Sequence, residues 1–232
     1  MKNIRKSNER GHANHGWLNT HHTFSFANYY DPKHMGFRSL RVLNDDLIAG
    51  GGGFPFHSHE NMEIISYVTE GALEHKDSMG NGSVIRPGDV QLMSAGSGIE
   101  HSEFNHLPDA QTHLYQIWIR PATRGTEPSY QEGHFEDGEL TDQLRLIASP
   151  DARDGSLRIN QDARVYAGRL SANREVALDL AENRHVWIQV LHGEVTVNDV
   201  SLGGGDGIAW SDESHLSLQS QTDSEVLVFD LN

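Results

Sequence analysis

Phe54-Pro55-Phe56-His57-Ser58-His59-Glu60-Asn61-Met62-Glu63 is the stretch whose reading decides the fold, and Ile99-Glu100-His101-Ser102-Glu103-Phe104 is its counterpart downstream. His57 and His59 are separated by one residue, as are His101 and Glu103. Side chains alternate faces along an extended strand, so each pair lies on one face, roughly 7 Å apart. Two such strands facing one another would gather three imidazoles and one carboxylate around a point. That is a ligand set for a divalent metal such as iron, with positions left for exogenous ligands. Glu63 falls on the same face as His57 and His59. It is a further candidate, either as a ligand or as a partner that holds an imidazole.

The remaining composition excludes several alternatives. There is no cysteine, which removes disulfides, thiolate zinc sites, iron–sulfur clusters and cysteine nucleophiles together. The formal net charge is -15, against the clustered basic residues that phosphate backbones require, so no direct nucleic-acid binding is expected. The basic start Met1-Lys2-Asn3-Ile4-Arg5-Lys6 is followed by no apolar run, and no stretch approaches membrane-spanning length. A cytoplasmic protein without membrane contact is the expectation. Of the 15 histidines, most read as surface or hydrogen-bonded residues. His12, His15, His21 and His22 lie in turn-like sequence with uneven spacing and read as scaffold, not as a second metal site.

Working outward, Thr23 through Pro32 alternates aromatic with small residues, as a half-buried strand would. Phe37 through Leu43 predicts a strand, with Asn44-Asp45-Asp46 as the turn after it. Gly50 through Gly53 frees the backbone before the histidine strand, and no Gly-Lys-Ser/Thr follows to suggest a nucleotide loop. Glu63–Gly71, Val90–Ala95 and His113–Ile119 predict further strands, separated by turns at Asp77–Gly82, Arg86–Asp89 and Gly96–Gly98. Many short strands with Gly and Pro between them predict a closed β-barrel or jelly roll. Residues 122–142 are polar and acidic and read as the interdomain linker. The second half then repeats the first: Glu63–Gly71 aligns with His185–Gly193, and Gly88-Asp89 with Gly205-Asp206. In that register His57 and His59 fall on Asp179 and Ala181, and His215 stands alone near the position of His101. One metal in the first half and none in the second is therefore expected.

The spacing Gly51-x5-His57-x-His59-x3-Glu63 resembles the first cupin motif, and with His101-x-Glu103 in place of the usual second motif the chain resembles a pirin. The likeness covers nearly the whole chain and is strongest to the short bacterial pirins assigned as quercetin 2,3-dioxygenases. It implies an all-β bicupin of two stacked β-barrels with few short helices. The N-terminal domain, 1–132, would hold the metal, and 133–232 would form a degenerate, metal-free barrel. It implies His57, His59, His101 and Glu103 as ligands of one divalent metal per chain, Fe(II) first, with Cu, Ni, Mn, Co or Zn as alternatives. The implied activity is oxidoreductase chemistry on a flavonol such as quercetin or a similar aromatic substrate. The flavonol's 3-hydroxyl would lose its proton to Glu103, and O2 would open the central ring with release of CO. The alternative is a metal-containing regulatory protein acting through protein partners, a role described for eukaryotic pirins.

Overall fold

A computed structural model describes residues 2–232. The chain divides into two compact units that are not contiguous in sequence. One comprises Gly11–His134 with Ile159–Gln161, and the other the N-terminal segment through Arg10, Phe135–Arg158 and Asp162–Asn232.

The unit that carries the histidine motif is built from two antiparallel sheets. The larger has seven strands in the order Ser129–His134, Asp89–Ser94, Glu63–Glu70, Thr112–Ile119, Leu40–Ile48, Leu18–His22 and Gly11–Asn14. The smaller has four: Gly53–His59, Ile99–Asn105, Leu73–Asp77 and Gly82–Ile85. Leu73 and Ile85 of the small sheet pack with Leu18, Ile48, Val68 and Leu114 of the large one. The two sheets therefore face each other across an apolar layer, the arrangement that buries one face of each.

Next to this layer the inner face of the large sheet turns polar. The register pairs His22 with Asn44, Asn44 with Gln116, Gln116 with Ser66, and Ser66 with Gln91. All five are buried. Five hydrogen-bonding side chains thus form one row across five strands, facing the interior. Buried polar groups are retained only where partners meet them: Ser66 and Gln116 meet Glu103 and Gln91 meets His75 from the histidine-bearing sheet, while His22 and Asn44 pair with each other at 2.9 Å.

Three local expectations are corrected. Thr23–Pro32 is not a strand. Phe26 and Tyr29 bridge each other across a tight turn, Ala27 takes φ 47°, and the Ser25 hydroxyl donates to the Asp31 carbonyl while accepting from its N–H. The alternation marks a compact loop whose Phe24 is buried. Asn44-Asp45-Asp46 is not a turn but the middle of the strand Leu40–Ile48. Pairing from the strands on both sides outweighs the low strand preference of Asn and Asp. Residues 122–142 are not simply a linker, because Ser129–His134 adds an edge strand against Asp89–Ser94 and Asp137–Leu140 forms a helical turn.

The other unit has the same layout. Its seven-stranded sheet runs Lys2–Arg5, Gly207–Ser211, His185–His192, Ser224–Leu231, Ala163–Leu170, Arg145–Ser149 and Leu157–Arg158. Its four-stranded sheet runs Glu175–Asp179, His215–Ser220, Glu194–Val197 and Val200–Gly203. The internal repeat holds in detail: Asp179 pairs with His215 as His57 pairs with His101. At that position an exposed ion pair joins His215 Nδ1 to Asp179 Oδ1 at 2.7 Å.

Candidate metal centre

The two ligand strands lie side by side in the small sheet instead of opposing each other across the core. His101 is the register partner of His57, and Ile99 that of His59. A bulge between His101 and Glu103 shifts the register there, which re-aims the carboxylate relative to a regular strand. Gly53 lets the strand pass close to this bulge, since a Cβ there would stand 2.5 Å from the Glu103 carbonyl oxygen.

The rings of His57, His59 and His101 converge, with centroids 4.5 to 4.9 Å apart. Each offers a nitrogen within 4.8 Å of the others, a group able to hold a metal ion. The hydrogen bonds indicate which nitrogens face the centre. His57 Nδ1–H donates to the Pro55 carbonyl at 2.8 Å, leaving Nε2 as a lone pair. Asp77 is held low in pKa despite some burial because Asn81, His75 and Met79 donate to it, so it accepts from His75 Nε2–H at 3.4 Å. His75 Nδ1 then has one lone pair, shared between the Gln91 amide at 3.2 Å and, more weakly, His101 Nδ1–H at 3.4 Å. That leaves His101 Nε2 as a second lone pair, 3.1 Å from His57 Nε2.

Two lone pairs so close repel unless a cation lies between them. Metal–nitrogen bonds of about 2.0–2.1 Å would place two nitrogens about 2.9 Å apart at a right angle and about 3.3 Å apart at a tetrahedral one, so the spacing fits a bound ion. Burial, then the neighbouring imidazoles, lower His59 to about 4 and His101 to about 3. Both are therefore neutral and available as donors at physiological pH.

Glu103 is buried, and both its oxygens accept from the Gln116 amide, at 3.1 and 2.9 Å, while Oε1 also accepts from Ser66 at 3.1 Å. A carboxylate only accepts, so Gln116 must turn its NH2 toward it. Glu103 is not in the His57–His59–His101 trio; it groups with His101 and His75, a second trio of possible metal donors. Glu63 belongs to neither trio. It is fully buried, accepts from Ser94 at 2.8 Å and from the Asn160 backbone at 3.1 Å, and burial raises its pKa.

His75 was missed in the sequence, although His75-x-Asp77 repeats the spacing of His101-x-Glu103. Asp77 read as a loop residue, whereas it ends the strand Leu73–Asp77 and anchors the chain of contacts behind His101. The cavity in front of the histidines, about 210 Å³, was also not legible: Phe26, Phe54, Ile64 and Trp118 supply its apolar walls, with Asn44, Asp46 and Gln116 among its polar groups. Trp118 meets His59 edge to face at 4.8 Å. His22, read as scaffold, and Trp17 line an adjoining cleft.

A jelly-roll unit with convergent histidines and a carboxylate at one end of its small sheet defines a cupin-type metal-binding domain, here followed by a second unit of the same layout. Residues 3–119 match the Pirin family model and residues 146–231 the model for a quercetinase C-terminal cupin domain. The chain belongs to the pirin family, and its fold is the pirin bicupin. It is 51% identical over 228 residues to the quercetin 2,3-dioxygenase of Escherichia coli K12, covering 98% of this chain and 97% of that protein. The crystal structure of YhhW from Escherichia coli superposes with a TM-score of 0.96 at 51% identity, covering 100% of this chain and 98% of that one. A structure of the same bacterial pirin in complex with nickel(II) gives 0.95 at 51% identity, covering 100% and 99%.

Proposed function

We propose that this protein is a quercetin 2,3-dioxygenase-type enzyme that cleaves the central ring of a flavonol with dioxygen. Both oxygen atoms enter the product, an ester of two aromatic acids, and the excised carbon leaves as CO. One divalent metal per chain is held by His57, His59, His101 and Glu103, with Fe(II) first and Cu, Ni, Mn, Co and Zn as alternatives. The metal, when bound, polarises the flavonol oxygen and raises the electron density available to dioxygen.

The chain's own groups do the rest. Glu103 takes the proton of the 3-hydroxyl, and Gln116 and Ser66 hold its carboxylate in place while it does so. Asp77 and Gln91, through His75, fix the tautomer of His101. Phe26, Phe54 and Trp118 wall off water and present ring faces and edges to a planar substrate. In this reading the metal belongs to the unit of Gly11–His134 with Ile159–Gln161, the other unit carries none, and the enzyme works in the cytoplasm. Among the described residues no helix is long and apolar enough to cross a membrane.

The supporting observation is the pair of imidazole Nε2 atoms of His57 and His101, 3.1 Å apart, beside a buried, oriented carboxylate in an apolar-walled cavity. The test is iron-loaded protein given quercetin in air, with dissolved oxygen, CO and metal content measured. Equimolar loss of oxygen and quercetin with CO release, at one metal per chain, is expected. Absence of oxygen uptake would overturn the activity, and metal retained after His57→Ala with His59→Ala would overturn the ligand set.

A further inference from the structure

A second cleft, of about 300 Å³, shares the lining residues Phe26, Asn44, Asp46 and Phe54 with the cavity at the histidines. Trp17 stands against Phe54 with ring centroids 5.0 Å apart, giving this second compartment an aromatic wall. That volume lies at the lower end of the range for small-organic-ligand sites.

Asp46 sits at the junction. It is 3% exposed, and its Oδ1 has no hydrogen-bond partner. Thr20 hydrogen-bonds the carboxyl from one side. A buried acceptor left without a donor is costly; Asp46 lines both clefts, so a hydroxyl seated there could supply the donor once the carboxyl turns toward it. On the metal side of the same cavity Gln116 Oε1 and Trp118 Nε1 are likewise unpartnered.

We propose that Asp46 and the adjoining cleft form the distal half of the substrate site: the cleft takes the ring of the flavonol lying away from the histidines, and Asp46 Oδ1 hydrogen-bonds a hydroxyl on that part of the molecule. This rests on the flavonol reading of the metal centre. It restricts the substrate class to planar, multi-ring phenols that carry a hydroxyl beyond the 3-hydroxy-4-oxo head. Burial, with Asp45 and Glu103 nearby, raises the Asp46 pKa to about 7, so near neutrality its carboxyl can both give and take a hydrogen bond.

The experiment uses the full chain loaded with nickel(II), under nitrogen, titrated with flavonols by their absorbance and by tryptophan fluorescence. Quercetin is compared with 3-hydroxyflavone, which has the same head and no other hydroxyl. The parent protein should bind quercetin roughly tenfold more tightly. Asp46→Leu should lose about that factor for quercetin and stay within twofold for 3-hydroxyflavone, whereas Asp46→Asn should hold near the parent value. Equal binding of the two flavonols by the parent overturns the proposal without needing any variant to fold, and so does Asp46→Leu weakening both alike or neither. If the parent binds neither flavonol, the flavonol reading itself fails, and the distal subsite with it.

Discussion

Gln116 provides the sharpest test of how the carboxylate is held. Its amide Nε2 lies 3.1 Å from Glu103 Oε1 and 2.9 Å from Oε2, and the residue is only 8% exposed. In Gln116→Leu the site stays filled, Oε1 keeps Ser66, and Oε2 loses the amide. Hydrogen bonds to charged groups contribute about 1.5–3 kcal/mol, and every 1.4 kcal/mol or so is tenfold in affinity. Removing an outer partner of a metal ligand characteristically costs about 10–100-fold. Metal affinity should therefore fall about 10–100-fold, measured by competition with a chromogenic chelator at pH 7.5. Stability of the metal-free protein is the blunter readout, because leucine also removes the buried, unpartnered Gln116 Oε1, which offsets part of the loss. Ser66→Ala should have the smaller effect, as it touches one oxygen. Metal affinity of Gln116→Leu within twofold of the parent would refute the argument that this amide orients the carboxylate.

Glu103→Gln should keep much of its metal, since an amide oxygen still coordinates, but lose turnover by about 10²–10⁴-fold, because the amide accepts no proton at neutral pH. Quercetin loss corrected for metal content decides it, and a rate within a few-fold of the parent would move the base elsewhere. The metal-free protein should lose stability on acidification. His59 and His101 titrate at about 4 and about 3 when folded but at about 6.5 when unfolded. Below about pH 6.5 the unfolded chain takes up protons that the native state refuses, so stability falls down to about pH 4 for His59 and about pH 3 for His101. Urea midpoints across that window check this, and an equally steep loss in a His59→Gln, His101→Gln variant would acquit the histidines. Finally, with net charge -15 the protein should show no appreciable affinity for duplex DNA at physiological salt; salt-sensitive micromolar binding in a gel-shift titration would contradict it.

The strand class, the family and the convergence of His57, His59 and His101 were legible in the sequence because they depend on local rules. Two-residue alternation fixes which side chains share a face, glycine and proline mark the turns, and the repeat of Glu63–Gly71 in His185–Gly193 exposes the second unit. What lies opposite those histidines depends on register between strands far apart in the chain, which no local rule contains. Asn44 and Asp46 have the composition of a turn, yet pairing with Leu18–His22 and Thr112–Ile119 draws them into a strand and turns them toward the cavity. His75 likewise gained its role only through the pairing of Leu73–Asp77 with the His101 strand. The sequence determined which residues could hold a metal; tertiary pairing decided which neighbours orient them and what shape of molecule they meet, because both are properties of two sheets brought face to face.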